Sequence, residues 1–244
     1  MAIATAPWIG TLRERPLHAA LKRWYALPGD RAEHAVDGYV IDLVRGDLLI
    51  EIQTRNVSSM RRKVETLLGR GHHVRVVLPL LAQVSIVRVD DDGVLLGRRR
   101  SPRHQRPCDA FAELVSIARL LDHPRLELDL VAVEIDELRR HVPEGPWRRR
   151  GWRVLERRLV TVVDVLAIRG LADLAALLPA ELAEPFTSAE LAASLGSSQR
   201  LGQQMTYCLR LGGVIEPLGK RRNAVEYRRV ASARSGRPRR TRRG

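Results

Sequence analysis

The chain has 244 residues, 45% of them hydrophobic and 29% charged, which is enough apolar material for one large core or two modest ones and excludes a disordered polypeptide. The formal charge of +14 is unevenly placed: residues 1–144 carry 22 basic and 20 acidic groups, residues 145–230 carry 14 and 8, and residues 231–244 carry six arginines and no acid. A near-neutral body followed by a basic second part and an arginine tail is the layout of a folded domain joined to a polyanion-binding module. No apolar run approaches the roughly 18 residues of a membrane span, and the N-terminus lacks the order of a secretory signal. The expected location is the cytoplasm, with no membrane partner. Cys108 and Cys208 belong to no CxxC pair, which argues against a disulfide framework or a zinc site and for buried free thiols.

Leu12, Leu17, Leu21 and Trp24 recur at helical spacing in 11–26, with Pro16 near the first turn, so the chain opens on an amphipathic helix. The segments GYVIDLV (38–44) and LLIEIQT (48–54) flank Arg45-Gly46-Asp47 and predict a tight hairpin in a sheet covered on both faces. Residues 58–69 read as a helix and 73–80 as a strand, so the order from 48 to 80 fits a right-handed parallel crossover. Strands at 84–89 and 94–97 enclose the turn Asp90-Asp91-Asp92-Gly93, and a basic loop containing Arg98, Arg99, Arg100 and Arg103 follows. A helix at 109–121 and an alternating strand at 126–135 complete an α/β domain over 1–140, a mixed sheet flanked by helices. The Pro-, Gly- and Arg-rich stretch 141–151 reads as a linker. Beyond it, Trp152, Leu155, Leu159, Val162, Val163 and Leu166 fall on one helical stripe, opening a second, mainly helical domain over 152–230. Residues 231–244 read as a disordered tail.

The hairpin carries acids inside apolar strands. With the turn at Gly46-Asp47, Asp42 lies opposite Glu51 at a Cβ separation of about 5 Å, and Gln53 follows on the same face. Asp37 would pair with Glu51 only if Val44 were the turn, which it suits poorly. Two carboxylates on adjacent strands make a hard oxygen site of the kind that takes Mg2+. His18, His34, His72 and His73 show no metal-ligand spacing and read as ordinary polar residues.

At these residues the chain resembles the restriction-endonuclease-like, or PD-(D/E)xK, superfamily, in which an acid on one strand and an (Asp/Glu)-x-Lys motif on the next hold a metal. The motif is Asp42 with Glu51-Ile52-Gln53, and the likeness covers roughly residues 10–100. It implies that Asp42 and Glu51 are ligands of Mg2+ or Mn2+, that Gln53 stands at the position of the motif lysine, and that Glu14 is the additional helix acid, with Glu33 as second candidate. A neutral Gln53 cannot supply the lysine's charge. A basic residue of the following helix could, and of Arg61, Arg62 and Lys63 the choice is Lys63.

The C-terminal signal is separate. Thr187-Ser188-Ala189-Glu190 fits a capping box that opens a helix ending at Gly196. A second helix over 198–211 turns Leu201, Met205, Cys208, Leu209 and Leu211 inward and Gln199, Arg200, Gln203 and Gln204 outward. A hairpin with the basic tip Gly219-Lys220-Arg221-Arg222-Asn223 follows. This order resembles a winged-helix domain, which implies that Gln199, Arg200, Gln203 and Gln204 face base edges and that Lys220, Arg221 and Arg222 contact phosphate. Together the two likenesses imply a metal-dependent endonuclease delivered to duplex DNA. The alternative keeps both folds and makes the first domain a non-catalytic body of a DNA-binding or regulatory protein; a homodimer is compatible with either.

Overall fold

A computed structural model describes residues 15–54, 56–142, 151–231 and, by backbone alone, 239–240. The first apolar stripe forms α1 (Pro16–Tyr25), which buries Leu17, Leu21 and Tyr25. Pro16 suits its start because the N–H it lacks has no partner inside a helix. Three antiparallel strands follow: β1 (Arg31–Val36), β2 (Tyr39–Arg45) and β3 (Leu48–Ile52). The β2–β3 turn is Gly46-Asp47, with Arg45 opposite Leu48, and Gly46 adopts the left-handed φ of 58° that such a turn needs. A 3-10 turn at Val57–Met60 leads into α2 (Arg61–Gly69), which crosses to β4 (His73–Val89), parallel to β3.

The predicted strands at 73–80 and 84–89 are one 17-residue strand with a register shift between Leu81 and Gln83. β5 (Leu95–Arg100) returns along Ser85–Val89. Arg98, Arg99 and Arg100, expected in a loop, therefore lie in a strand whose exposed side chains leave no burial pattern to read. The helix expected at 109–121 is α3 (Phe111–Leu114) between 3-10 turns at Pro107–Ala110 and Val115–Leu120. β6 (Leu126–His141) then runs parallel to β4.

Residues 152–168, expected as a helix, form β7 (Trp152–Ile168), paired antiparallel to β6 from Leu128–Ile168 to His141–Trp152. Its apolar residues fit a helical stripe, but the run Leu159-Val160-Thr161-Val162-Val163 is mostly β-branched and long enough to zip along β6. Of the expected linker at 141–151, His141 ends β6 and Val142 N donates to Gly151 O at 2.9 Å; 143–150 lie outside the described residues. The main sheet runs β1-β2-β3-β4-β6-β7-β11, with β5 on the far half of β4. β11 is Arg239–Arg240 against Ala167 and Leu166, so this part of the predicted disordered tail adds to the sheet; 232–238 and 241–244 lie outside the described residues.

After β7 come α4 (Leu171–Ala175), β8 (Phe186–Thr187), α5 (Ser188–Ser194), α6 (Gln199–Leu211), β9 (Ile215–Arg221) and β10 (Ala224–Arg229), with a three-stranded sheet ordered β8-β10-β9. The expected capping box is present: Thr187 Oγ1 accepts from Glu190 N, and Glu190 Oε2 accepts from Thr187 N at 2.8 Å. α5 and α6 cross closely at Gly202, where an added Cβ would sit 2.3 Å from Ser188 O.

Two apolar clusters sandwich the main sheet. On one face α1 packs Leu17 and Leu21 on Ile50, Ile52, Val77 and Val131. On the other, Val64, Leu67, Phe111 and Leu114 share a cluster with Met205, Cys208 and Leu209 of α6. The C-terminal elements thus join the core of the α/β body instead of enclosing a separate one, and β7, expected to open the second domain, belongs to the main sheet. Each fully buried Leu or Phe side chain is worth about 1.5–3 kcal/mol, so the shared cluster is a substantial bond between the two parts. Cys108 and Cys208 are free and buried, and burial pushes the Cys208 thiol up to about 12. Among the described residues no helix is long and apolar enough to cross a membrane.

Candidate functional site

The β2–β3 ladder ends at the Leu43–Ile50 pair, and its registry sets Asp42 beside Glu51. The β1–β2 ladder is irregular at the same place: its pairs pass from Ala32–Leu43 to His34–Ile41, and Glu33 between them takes a φ of 48°. The strand twists there, so Ile41 and Val44 pack on the α2 side and Leu43 on the α1 side. Asp42 Oδ2 accepts a hydrogen bond from Ile52 N at 2.8 Å and lies 3.2 Å from His18 Nε2 of α1.

Glu51 reaches toward α2. Its Oε1 lies 2.5 Å from Lys63 Nζ and accepts from Asp42 N at 3.4 Å, and Lys63 also donates to Val40 O at 2.5 Å. Gln53 donates to Asn56 O at 2.8 Å and Ser59 Oγ at 3.1 Å, fastening the end of β3 to the turn before α2. The expectation that Asp42, Glu51 and Gln53 share one face is corrected: Asp42 reaches toward α1, whereas Glu51 and Gln53 reach toward α2. The twist at Asp42, which a regular hairpin lacks, is the reason.

Burial separates the two acids electrostatically. Glu51 is only 7% exposed, and desolvation pushes its carboxyl up to about 7; Lys63 opposes the rise and the charge of Asp42 adds to it. For Asp42 burial also works upward, but the hydrogen bonds from His18 and Ile52 N and the charges of His18 and Lys63 hold it below the ordinary carboxylate range. Neighbouring acids driven apart in this way suit different roles. Two carboxylates on adjacent strands also suit Mg2+ or Mn2+, which take one or two protein carboxylates and fill other positions with water or phosphate. Among the described residues no group of three or more His, Cys, Asp or Glu is placed to hold a metal ion.

Of the three basic candidates on α2, Lys63 reaches Glu51, while Arg61 pairs with Glu65 at 2.8 Å. Glu14 lies outside the described residues, and Glu33 pairs with Lys22 at 2.7 Å. His18 was not expected at the site. It comes from α1, 24 residues before Asp42, and no local spacing in the sequence signals it.

Past Ile52 the edge of β4 is uncovered until β5 begins, and a cavity of about 650 Å3 lies in that notch, with Gln53, Pro79, Leu80 and Arg153 in its wall. Elsewhere, α6 exposes Gln199, Arg200 and Gln203, with Gln204 half-buried. Lys220 and Arg221 end β9, and Arg222 with a φ of 57° forms the turn to β10. Arg221 is tied to Glu190 at 2.6 Å and Glu226 at 3.0 Å, whereas Lys220 and Arg222 have no carboxylate partner among the described residues.

The domain of unknown function DUF8091 matches residues 15–169, the segment from the start of α1 to the residue after β7. An uncharacterized protein of Treponema pallidum (strain Nichols) is 29% identical over 222 residues, spanning 91% of this chain and 87% of its own length. No solved structure matches the chain. With more than half of its residues matched by that model, the chain belongs to the DUF8091 family.

Proposed function

We propose that this protein is a DNA-binding, metal-dependent phosphodiesterase of restriction-endonuclease-like architecture, acting on duplex DNA in the cytoplasm. The observation that carries the reading is the registry of Asp42 beside Glu51 where β2 and β3 part, with Lys63 on Glu51, at the carboxyl end of a strand parallel to its neighbour. Open α/β sheets place their ligands at such ends. Asp42 and Glu51 would hold Mg2+ or Mn2+, which when bound supplies Lewis-acid stabilisation of charge on the scissile phosphate.

The chain's own residues do the rest. His18 and the Ile52 amide orient the Asp42 carboxylate and keep it ionised. Lys63 holds Glu51 and supplies the positive charge absent at Gln53. The β8-to-β10 unit is read as a winged helix, with Gln199, Arg200, Gln203 and Gln204 toward base edges and Lys220 and Arg222 toward phosphate.

The competing reading, a non-catalytic DNA-binding body, is favoured by Gln53, whose amide is spent on Asn56 and Ser59. Incubation of plasmid and linear duplex DNA with Mg2+ or Mn2+ decides between them. Cleavage by the wild-type chain that is lost in Asp42→Ala supports hydrolysis. Binding without cleavage under either metal supports the alternative.

A further inference from the structure

We propose that the cavity in the sheet notch beside Gln53 receives one unpaired nucleotide of a DNA strand, its phosphate held by Arg103 and Arg153. The inference deepens the nuclease reading by naming the form of the substrate, and in that respect rests on it.

The notch follows from strand lengths. β3 covers β4 only from His73 to Val77, and β5 covers it only from Ser85 onward. Between them the chain fastens itself loosely: Gln105 N donates to Leu81 O at 2.7 Å and Gln105 Oε1 accepts from Leu81 N at 3.0 Å. Pro79, which has no N–H to leave unpaired, stands at the open edge. The resulting volume of about 650 Å3 falls within the roughly 300–1,000 Å3 of ligand sites. A smaller recess of about 270 Å3 adjoins it, sharing Leu17, Thr54, Val154 and Arg157. Such a space is large enough for a base and its sugar.

The charges of the wall select an anion. Its two acids are already engaged: Asp109 Oδ2 accepts from Arg106 N at 2.6 Å and Glu113 Oε2 from Val57 N at 3.1 Å. Arg157 is committed to Glu137 at 3.0 Å. Arg103 and Arg153 are exposed in the wall and have no carboxylate partner among the described residues. Pro79 and Val154, half-buried in the wall, supply an apolar surface for the base, while the Gln105 amide nitrogen can donate to a base edge. No aromatic ring lines the cavity among the described residues, so the site should discriminate weakly between bases. Gln53 belongs to this wall and directly follows the strand of Glu51, two residues apart or roughly 7 Å, so a nucleotide seated here would bring its neighbouring phosphate toward the acids. An unpaired nucleotide can come from a strand terminus or from a base flipped out of the duplex, at a cost of a few kcal/mol.

The test measures binding without metal, so it stands whether or not the protein cleaves. Fluorescence anisotropy compares a blunt duplex, a duplex with a 5′-phosphorylated overhang and a closed duplex circle with one mismatch. The wild-type chain should prefer the overhang or the mismatch over its fully paired counterpart by about tenfold, or 1.4 kcal/mol. Preference for the overhang assigns a strand terminus, and preference for the mismatch a flipped nucleotide. Arg103→Ala with Arg153→Ala, both at exposed positions, and the space-filling Val154→Trp should each abolish the preference while blunt-duplex binding persists. Equal wild-type affinity for all three DNAs, or variants that keep the preference, would overturn the proposal. Absence of cleavage alone would instead count against the hydrolytic reading.

Discussion

Replacing Glu51 by Gln should stabilise the metal-free protein at alkaline pH, although it removes one partner of an ion pair. The Glu51 carboxyl is raised from 4.5 to about 7 in the fold. Between those values the folded state binds more protons than the unfolded chain, so stability falls as pH rises through this window and is constant above it. A shift of that size at 1.36 kcal/mol per pH unit corresponds to about 3 kcal/mol of destabilisation by the ionised carboxylate at pH 8. Glutamine removes this cost. The glutamine amide oxygen can still accept from Lys63, which also keeps the Val40 carbonyl at 2.5 Å, so the loss is that of the pair's negative charge and takes back about 1 kcal/mol of the gain. The expected result is a variant about 2 kcal/mol more stable than wild type at pH 8, with the difference shrinking as pH falls and reversing slightly below about pH 4.5. Urea unfolding at a series of pH values reads this directly. A variant less stable than wild type at pH 8, by an amount independent of pH, would refute the reasoning and make Glu51–Lys63 an ordinary structural ion pair.

Asp129→Ala should cost about 3–5 kcal/mol of stability, because the buried carboxylate is held by Arg169 Nη2 at 2.5 Å and Tyr25 Oη at 3.0 Å; urea unfolding at neutral pH checks it. His18→Ala should raise the Asp42 carboxyl toward its ordinary range, seen by carboxyl-carbon NMR titration. Because a depressed carboxylate contributes stability above its unfolded pKa, the variant's deficit should be present at neutral pH and vanish as pH falls through the folded pKa of Asp42. Lys220→Ala with Arg222→Ala should weaken duplex binding across sequences and lower the slope of log affinity against log salt by about 1.8. Arg221→Ala should change that slope less, since Glu190 and Glu226 already engage Arg221.

What the sequence disclosed depended on whether a residue's local pattern matched its tertiary role. The Gly46-Asp47 turn and the Thr187–Glu190 capping box are written in adjacent residues, and both are found where they are predicted. β1 escaped notice because Arg31–Val36 is polar and largely exposed, leaving no apolar alternation. β7 was misread because its apolar residues fit the helical period, and only its pairing with β6 across the whole hairpin decides the matter. At the site, the registry of Asp42 with Glu51 follows from the turn, whereas the twist that sends Asp42 toward α1 depends on Glu33 in an unrecognised strand. His18 meets Asp42 over 24 residues of chain, a contact that no local spacing specifies.

The most direct test of the central claim is titration of the purified protein with Mn2+, monitored by electron paramagnetic resonance, for wild type, Asp42→Asn and Glu51→Gln. If these carboxylates form one hard-oxygen site, wild type should bind a stoichiometric Mn2+ that Mg2+ displaces, and each variant should lose it while remaining folded. Equal Mn2+ binding by all three proteins, or no stoichiometric binding by wild type in the presence of DNA, would contradict the account.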